Sequence, residues 1–73
     1  MILETVESEV MHAFGYDPQI HLLEIIFNDG RIYQYRGVPP EVYEGLLRAE
    51  SLGQYFHEHI LDTYAYRRLR KAS

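Results

Sequence analysis

No cysteine occurs in the 73 residues, so neither a disulfide framework nor a thiolate zinc site can staple so short a chain. Apolar packing has to hold the fold by itself. Long hydrophobic runs are also missing: no uninterrupted apolar stretch approaches the roughly 20 residues that cross a bilayer, and no basic region precedes an apolar segment at the amino terminus. These absences predict a soluble, cytoplasmic protein with no membrane partner. Repetitive or Pro/Ser-rich stretches are absent too, and 47% of the residues are hydrophobic, which excludes a disordered tail. Residues 63–73 lack acid altogether. They carry Arg67, Arg68, Arg70 and Lys71, whereas residues 1–62 set Arg31, Arg36 and Arg48 against all 11 acidic side chains. A basic end on an acidic body either tethers the chain to nucleic acid or folds back on that body and serves solubility.

With 73 residues there is room for one core, so a single domain spanning residues 1–73 is expected, with a basic arm over 67–73. Val6 to Phe14 alternates well enough for a first strand, with Val10, His12 and Phe14 on one face. The turn chemistry of Gly15, Tyr16, Asp17 and Pro18 predicts a reversal there. Ile20 to Phe27 is apolar enough for the middle of a sheet. Asn28, Asp29 and Gly30 allow two registers. A two-residue loop would pair Phe27 with Ile32 and turn Tyr33 and Tyr35 away from Leu23, Ile25 and Phe27. A three-residue loop with Gly30 left-handed would pair Phe27 with Arg31, Ile25 with Tyr33 and Leu23 with Tyr35. The second is preferred because it gathers the large apolar side chains on one face for helices to cover.

Strand three, Arg31 to Arg36, ends at Gly37-Val38-Pro39-Pro40, where Pro40 suits the first turn of a helix. Val42, Leu46 and Ala49 then mark the buried stripe of helix one. Ser51 with Gln54 reads as a capping box for helix two, whose stripe is Leu52, Phe56 and Ile60 and which ends near Asp62. Tyr64 to Tyr66 reads as extended, a candidate short fourth strand before the basic end frays. The expected class is α+β: a three-stranded antiparallel meander followed by two helices on one face, with that short strand at the carboxy end.

The order of Ser8, Gly15-Tyr16-Asp17, Leu23, Ile25, Phe27, Gly30, Tyr33-Gln34-Tyr35, Gly37-Val38-Pro39, Tyr43, Ala49, Ser51, Gly53, Tyr55-Phe56, Ile60 and Tyr64-Ala65-Tyr66 resembles the KTSC domain. That family occurs at the carboxy terminus of some bacterial lysyl-tRNA synthetases and as stand-alone bacterial or phage proteins. Two positions depart from its pattern: Glu9, where a second serine is usual, and His57, where asparagine is usual. The resemblance implies a non-catalytic accessory module, with RNA association suggested by its place on a synthetase.

The residues themselves offer three candidate sites. Tyr33 and Tyr35 project from one side of a strand and are either core or a platform for unpaired bases, with Arg31 or Arg36 near the phosphates; the preferred register makes them core. Tyr64 and Tyr66 followed by Arg67, Arg68, Arg70 and Lys71 either stack bases and neutralise phosphates, or the two rings pack on the sheet and the charges are solvated. A four-residue loop at 15–18 would bring His12 opposite His21, but two nitrogens are too few for a metal, and His57 and His59 point to different sides of a helix. Neither Ser8 nor Ser51 has the surroundings of a nucleophile, and the isolated glycines make no phosphate-cradling loop. The expectation is a non-enzymatic, cofactor-free, metal-free binding module for RNA or tRNA, using Arg67, Arg68, Arg70, Lys71, Tyr66, Tyr33, Tyr35 and Arg36. The alternative is a protein-interaction or homodimerisation domain with no nucleic-acid role.

Overall fold

The computed structural model describes residues 3–5 and 11–69. The element order is β1 (Leu3–Thr5), β2 (Met11–Asp17), β3 (Leu22–Phe27), β4 (Ile32–Arg36), α1 (Pro40–Arg48), α2 (Leu52–His59) and β5 (Tyr66–Leu69). The strands form a five-stranded antiparallel sheet in chain order, β1-β2-β3-β4-β5, and the two helices cover one of its faces on the way from β4 to β5. The meander, the helix pair and the carboxy-terminal strand match the α+β layout expected from the sequence. Strand β1, pairing Leu3 with Gly15, adds an edge that was not anticipated.

The β3–β4 hairpin takes the bulged register. Phe27 N–H donates to Arg31 O at 2.9 Å and Gly30 N–H to Phe27 O at 2.9 Å, while Gly30 has φ 89°, a conformation that costs a glycine nothing. Leu23 therefore pairs with Tyr35 and Ile25 with Tyr33. These side chains share a face with Phe14 of β2, and Val38, Leu46, Phe56 and Ile60 close over them as one buried cluster.

The β2–β3 hairpin differs from expectation. Gly15, Tyr16 and Asp17 belong to β2, and the reversal comes later, over Pro18–His21. Asp17 Oδ1 accepts from Gln19 N–H at 3.0 Å, so the turn begins after Asp17, and His21 closes it with φ 53°. Extending the strand lets Tyr16 stack on Tyr43 of α1 at 4.8 Å and donate its hydroxyl to Val38 O at 2.5 Å. That burial pushes the Tyr16 phenol above its ordinary range, with Glu41 and Asp17 adding to the effect. Phe14 consequently faces Ile25. A bulge between Met11 and Ala13 leaves His12 exposed, while Met11 and Phe14 both enter the core, so the expected alternation of β2 does not hold. The expected strand segment Val6 to Val10, together with Ser8 and Glu9, lies outside the described residues.

Both helix starts follow their sequence signals. Pro39 and Pro40 open α1, and Ser51 Oγ accepts from Gln54 N–H at 3.2 Å to cap α2. Helix α2 ends at His59, and Asp62 beyond it adopts φ 62°. The helices meet where Tyr55 lies across Gly45 and donates its hydroxyl to Val42 O at 3.0 Å. A Cβ at position 45 would come within 2.7 Å of Tyr55 Cζ. Gly45→Ala gains about 1 kcal/mol of helix propensity, but displacing the ring costs about 1–3 kcal/mol and its hydrogen bond about 1 kcal/mol more. A net loss of about 1–3 kcal/mol is expected in urea unfolding. In a Tyr55→Ala background the same change should be neutral or stabilising. Stabilisation by Gly45→Ala with Tyr55 present would contradict the close packing.

Candidate nucleic-acid interface

The register of β5 sorts the predicted residues onto two faces. Tyr35 pairs with Tyr66 and Tyr33 with Arg68, so these four side chains project toward the helix side. Gln34 pairs with Arg67, which places Arg67, and Arg36 two residues from Gln34, on the helix-free side. The candidate residues thus straddle one edge of the sheet instead of forming a single patch. Arg70 and Lys71 lie outside the described residues.

On the helix side the aromatic rings form a continuous row. Phe27 meets Tyr33 edge-on at 5.6 Å, and Tyr33 stacks on Tyr66 with centroids 5.3 Å apart and planes 20° from parallel. Tyr35 lies beneath, stacked on Tyr33 at 6.3 Å and edge-on to Phe56 at 5.7 Å. Burial grades outward along this row. Tyr35 is 1% exposed and Tyr66 is 56% exposed, with Tyr33 between them. The expectation that Tyr33 and Tyr35 are core therefore holds fully for Tyr35, while Tyr33 supports an exposed ring above it. Desolvation pushes the Tyr35 phenol up to about 12, with Tyr33, Tyr66 and Asp62 contributing.

The charges are partly segregated, with Arg48 on α1 and Glu24 on β3 as exceptions. Glu41, Glu44, Glu50 and Glu58 are exposed on or beside the helices, whereas Arg36, Arg67 and Arg68 are exposed on β4 and β5. Arg31 is held by Asp29 at 2.5 Å and lies 6.0 Å over the Phe27 ring. Among the described residues, no carboxylate stands within ion-pair distance of Arg36, Arg67 or Arg68. The basic segment is a paired strand as far as Leu69 and not a frayed arm from Arg67 onward.

The remaining candidates are not drawn together. His12 and His21 are not cross-strand partners, because the late turn places His21 beyond the end of the pairing. Among the described residues no group of three His, Cys, Asp or Glu side chains is arranged to hold a metal ion. Ser51 Oγ is occupied as a helix cap, beside an open groove of about 550 Å³ lined by Ala49, Glu50, Gln54, Tyr55 and Glu58. No described helix is long and apolar enough to cross a membrane.

Fold and surface together define a class: a small α+β module whose antiparallel sheet is covered by helices on one side and ends in a basic, aromatic edge strand. The chain belongs to the KTSC domain family, whose profile matches residues 7–64. It is 43% identical over 53 residues to an uncharacterised protein of Stutzerimonas stutzeri, an alignment covering 73% of this chain and 75% of that one. A lysine–tRNA ligase of a Nostoc species is 40% identical over 63 residues, which is 86% of this chain and 11% of the ligase. The crystal structure of a KTSC domain protein from Yersinia pestis superposes with a TM-score of 0.92 at 32% identity, covering 94% of this chain and 97% of that one.

Proposed function

We propose that this chain is a non-catalytic RNA-associated module whose contact surface is the β4–β5 end of the sheet. The observation that carries the reading is the edge strand itself. Arg67 and Arg68 stand there outside ion-pair distance of any described carboxylate, next to an exposed tyrosine and away from the acidic helices. Phosphate is drawn to such a surface and repelled by the glutamates of the helix layer, so the charge pattern orients the chain as well as attracting a ligand. A matching segment in lysine–tRNA ligases supports an RNA as the partner. Arg36 and Arg67 on one side and Arg68 on the other would engage phosphates along the strand.

Titration of single-stranded RNA at a series of salt concentrations tests this. Affinity should fall with salt, and Arg67→Ala with Arg68→Ala should make the log–log slope shallower by about 1.4, at roughly 0.7 per lost phosphate contact on a single strand. Absence of binding at low salt, or the same slope in the double variant, removes the reading. A second reading, association with another protein strand, is favoured by the free edge of β5. Light scattering that finds a stable dimer with no RNA affinity would select it.

A further inference from the structure

The inference concerns what the β5 edge recognises and rests on the RNA reading above. Arg36 N–H donates to Ala65 O at 2.9 Å, which makes Arg36 and Ala65 a hydrogen-bonded cross-strand pair. Opposed residues in an antiparallel pair alternate between bonded and non-bonded. Gln34 with Arg67, and Ile32 with Leu69, are therefore bonded pairs, while Tyr66 and Arg68 sit at non-bonded positions. Their backbone N–H and C=O groups consequently point away from β4, out of the sheet's edge.

The Tyr66 side chain projects from the same edge strand on the helix side, its ring against Tyr33 and Tyr35. Tyr33 lies on β4, and the two rings are 20° from parallel, so Tyr33 covers the inner face of Tyr66 and the outer face looks over the edge. Arg68 is two residues further along the same face, about 7 Å at the rise of a strand. Three kinds of contact thus come together on one edge: an open aromatic face, backbone donors and acceptors directed away from β4, and a guanidinium one step along.

We infer that Tyr66, Arg68 and the outward backbone of β5 form a site for an unpaired nucleotide. Its base caps the Tyr33–Tyr66 stack, its polar edge meets the Tyr66 and Arg68 backbone, and its flanking phosphate meets the Arg68 guanidinium. The site requires a base with one face free and its polar edge unpaired, so it takes single strands, loops or bulges and excludes the interior of a continuous duplex. Because Tyr33 is itself held by Phe27 and Tyr35, the platform is rigid before the base arrives.

The test compares an unstructured oligouridylate RNA with a continuous RNA duplex on the full chain, using wild type, Tyr66→Phe and Tyr66→Ala. Wild type should prefer the single strand. Tyr66→Phe keeps the ring and should bind within about twofold, while Tyr66→Ala should lose roughly tenfold or more on the single strand with little change on the duplex. Thermal melts establish that both variants are folded, as expected for a side chain so exposed. Single-strand affinity unchanged in Tyr66→Ala, with normal salt dependence, overturns the stacking site and leaves the phosphate-binding reading intact. Equal affinity of wild type for duplex and single strand also overturns it. Failure of wild type to bind either RNA removes the RNA reading, and the site with it.

Discussion

Truncating Phe56 to alanine is expected to bring the fold close to its unfolding midpoint at room temperature. Phe56 is 6% exposed and its ring meets Phe27 and Tyr35 edge-on, each at 5.7 Å. It is thus the side chain through which α2 grips the aromatic row of β3 and β4. Removing a buried phenylalanine costs about 3–5 kcal/mol through lost transfer energy and the cavity left behind, and aromatic pairs add about 0.5–1.5 kcal/mol each. A chain of this size holds only about 4–11 kcal/mol in total, and without cysteine no covalent link shares the load. Urea unfolding followed by far-ultraviolet circular dichroism should register the loss, with Leu47→Ala, 47% exposed on α1, as the control expected within about 0.5 kcal/mol of wild type. A Phe56→Ala protein within about 1 kcal/mol of the parent would mean that the helices are not anchored on this ring.

How much of this was legible in sequence depends on whether the determining interaction was local. The β3–β4 register could be read because Asn28, Asp29 and Gly30 specify their own turn and because one of two registers collects Leu23, Ile25, Tyr33 and Tyr35 on one face. The α2 cap was equally local, between Ser51 and Gln54. The β2–β3 turn was misplaced because Gly15 and Asp17 have turn chemistry wherever they stand. What keeps them in the strand is distant: Tyr16 reaching Tyr43 and Val38. His21 then occupies a left-handed position that its residue type does not announce. β5 was hardest. Tyr66-Arg67-Arg68-Leu69 has no period-two apolar pattern, so nothing local marks it as a strand, and its pairing with Ile32–Tyr35 spans both helices.

That same pairing explains why the candidate residues were identified more easily than their arrangement. Composition pointed to the arginines and tyrosines near the carboxy end, but a strand alternates its side chains, so pairing with β4 sends Arg67 to the open face and Arg68 to the Tyr33 side. The strand edge becomes the place where both faces can be reached at once. Exposed arginines at such an edge also oppose pairing with an identical edge, since like charges would face one another. The sequence of β5 therefore favours a phosphate-bearing partner over a second copy of itself.

Raising the pH should destabilise the protein through Tyr35 in a window set by its burial. The phenol ionises at about 12 in the folded chain against 10.0 ordinarily, chiefly because burial disfavours the phenolate. For an acid whose folded value is raised, the associated stability is complete below the unfolded value and disappears as pH climbs through the folded one. Stability should hold to about pH 10 and then fall toward about pH 12, by on the order of 2 kcal/mol from this group. Tyr16 and Tyr55, also raised by desolvation, make the decline steeper without moving where it begins. Tyr35→Phe keeps the ring against Phe56 and removes the ionisable oxygen. Its unfolding free energy should decline less than wild type's across the same interval, and the tyrosinate absorbance should lose its latest-titrating component. Identical alkaline profiles for the two proteins would place the sensitive group elsewhere. The result bears on the interface too, because Tyr35 supports Tyr33 and, through it, the exposed ring of Tyr66. Ionising the buried phenol therefore weakens the support of the base-stacking platform along with the core.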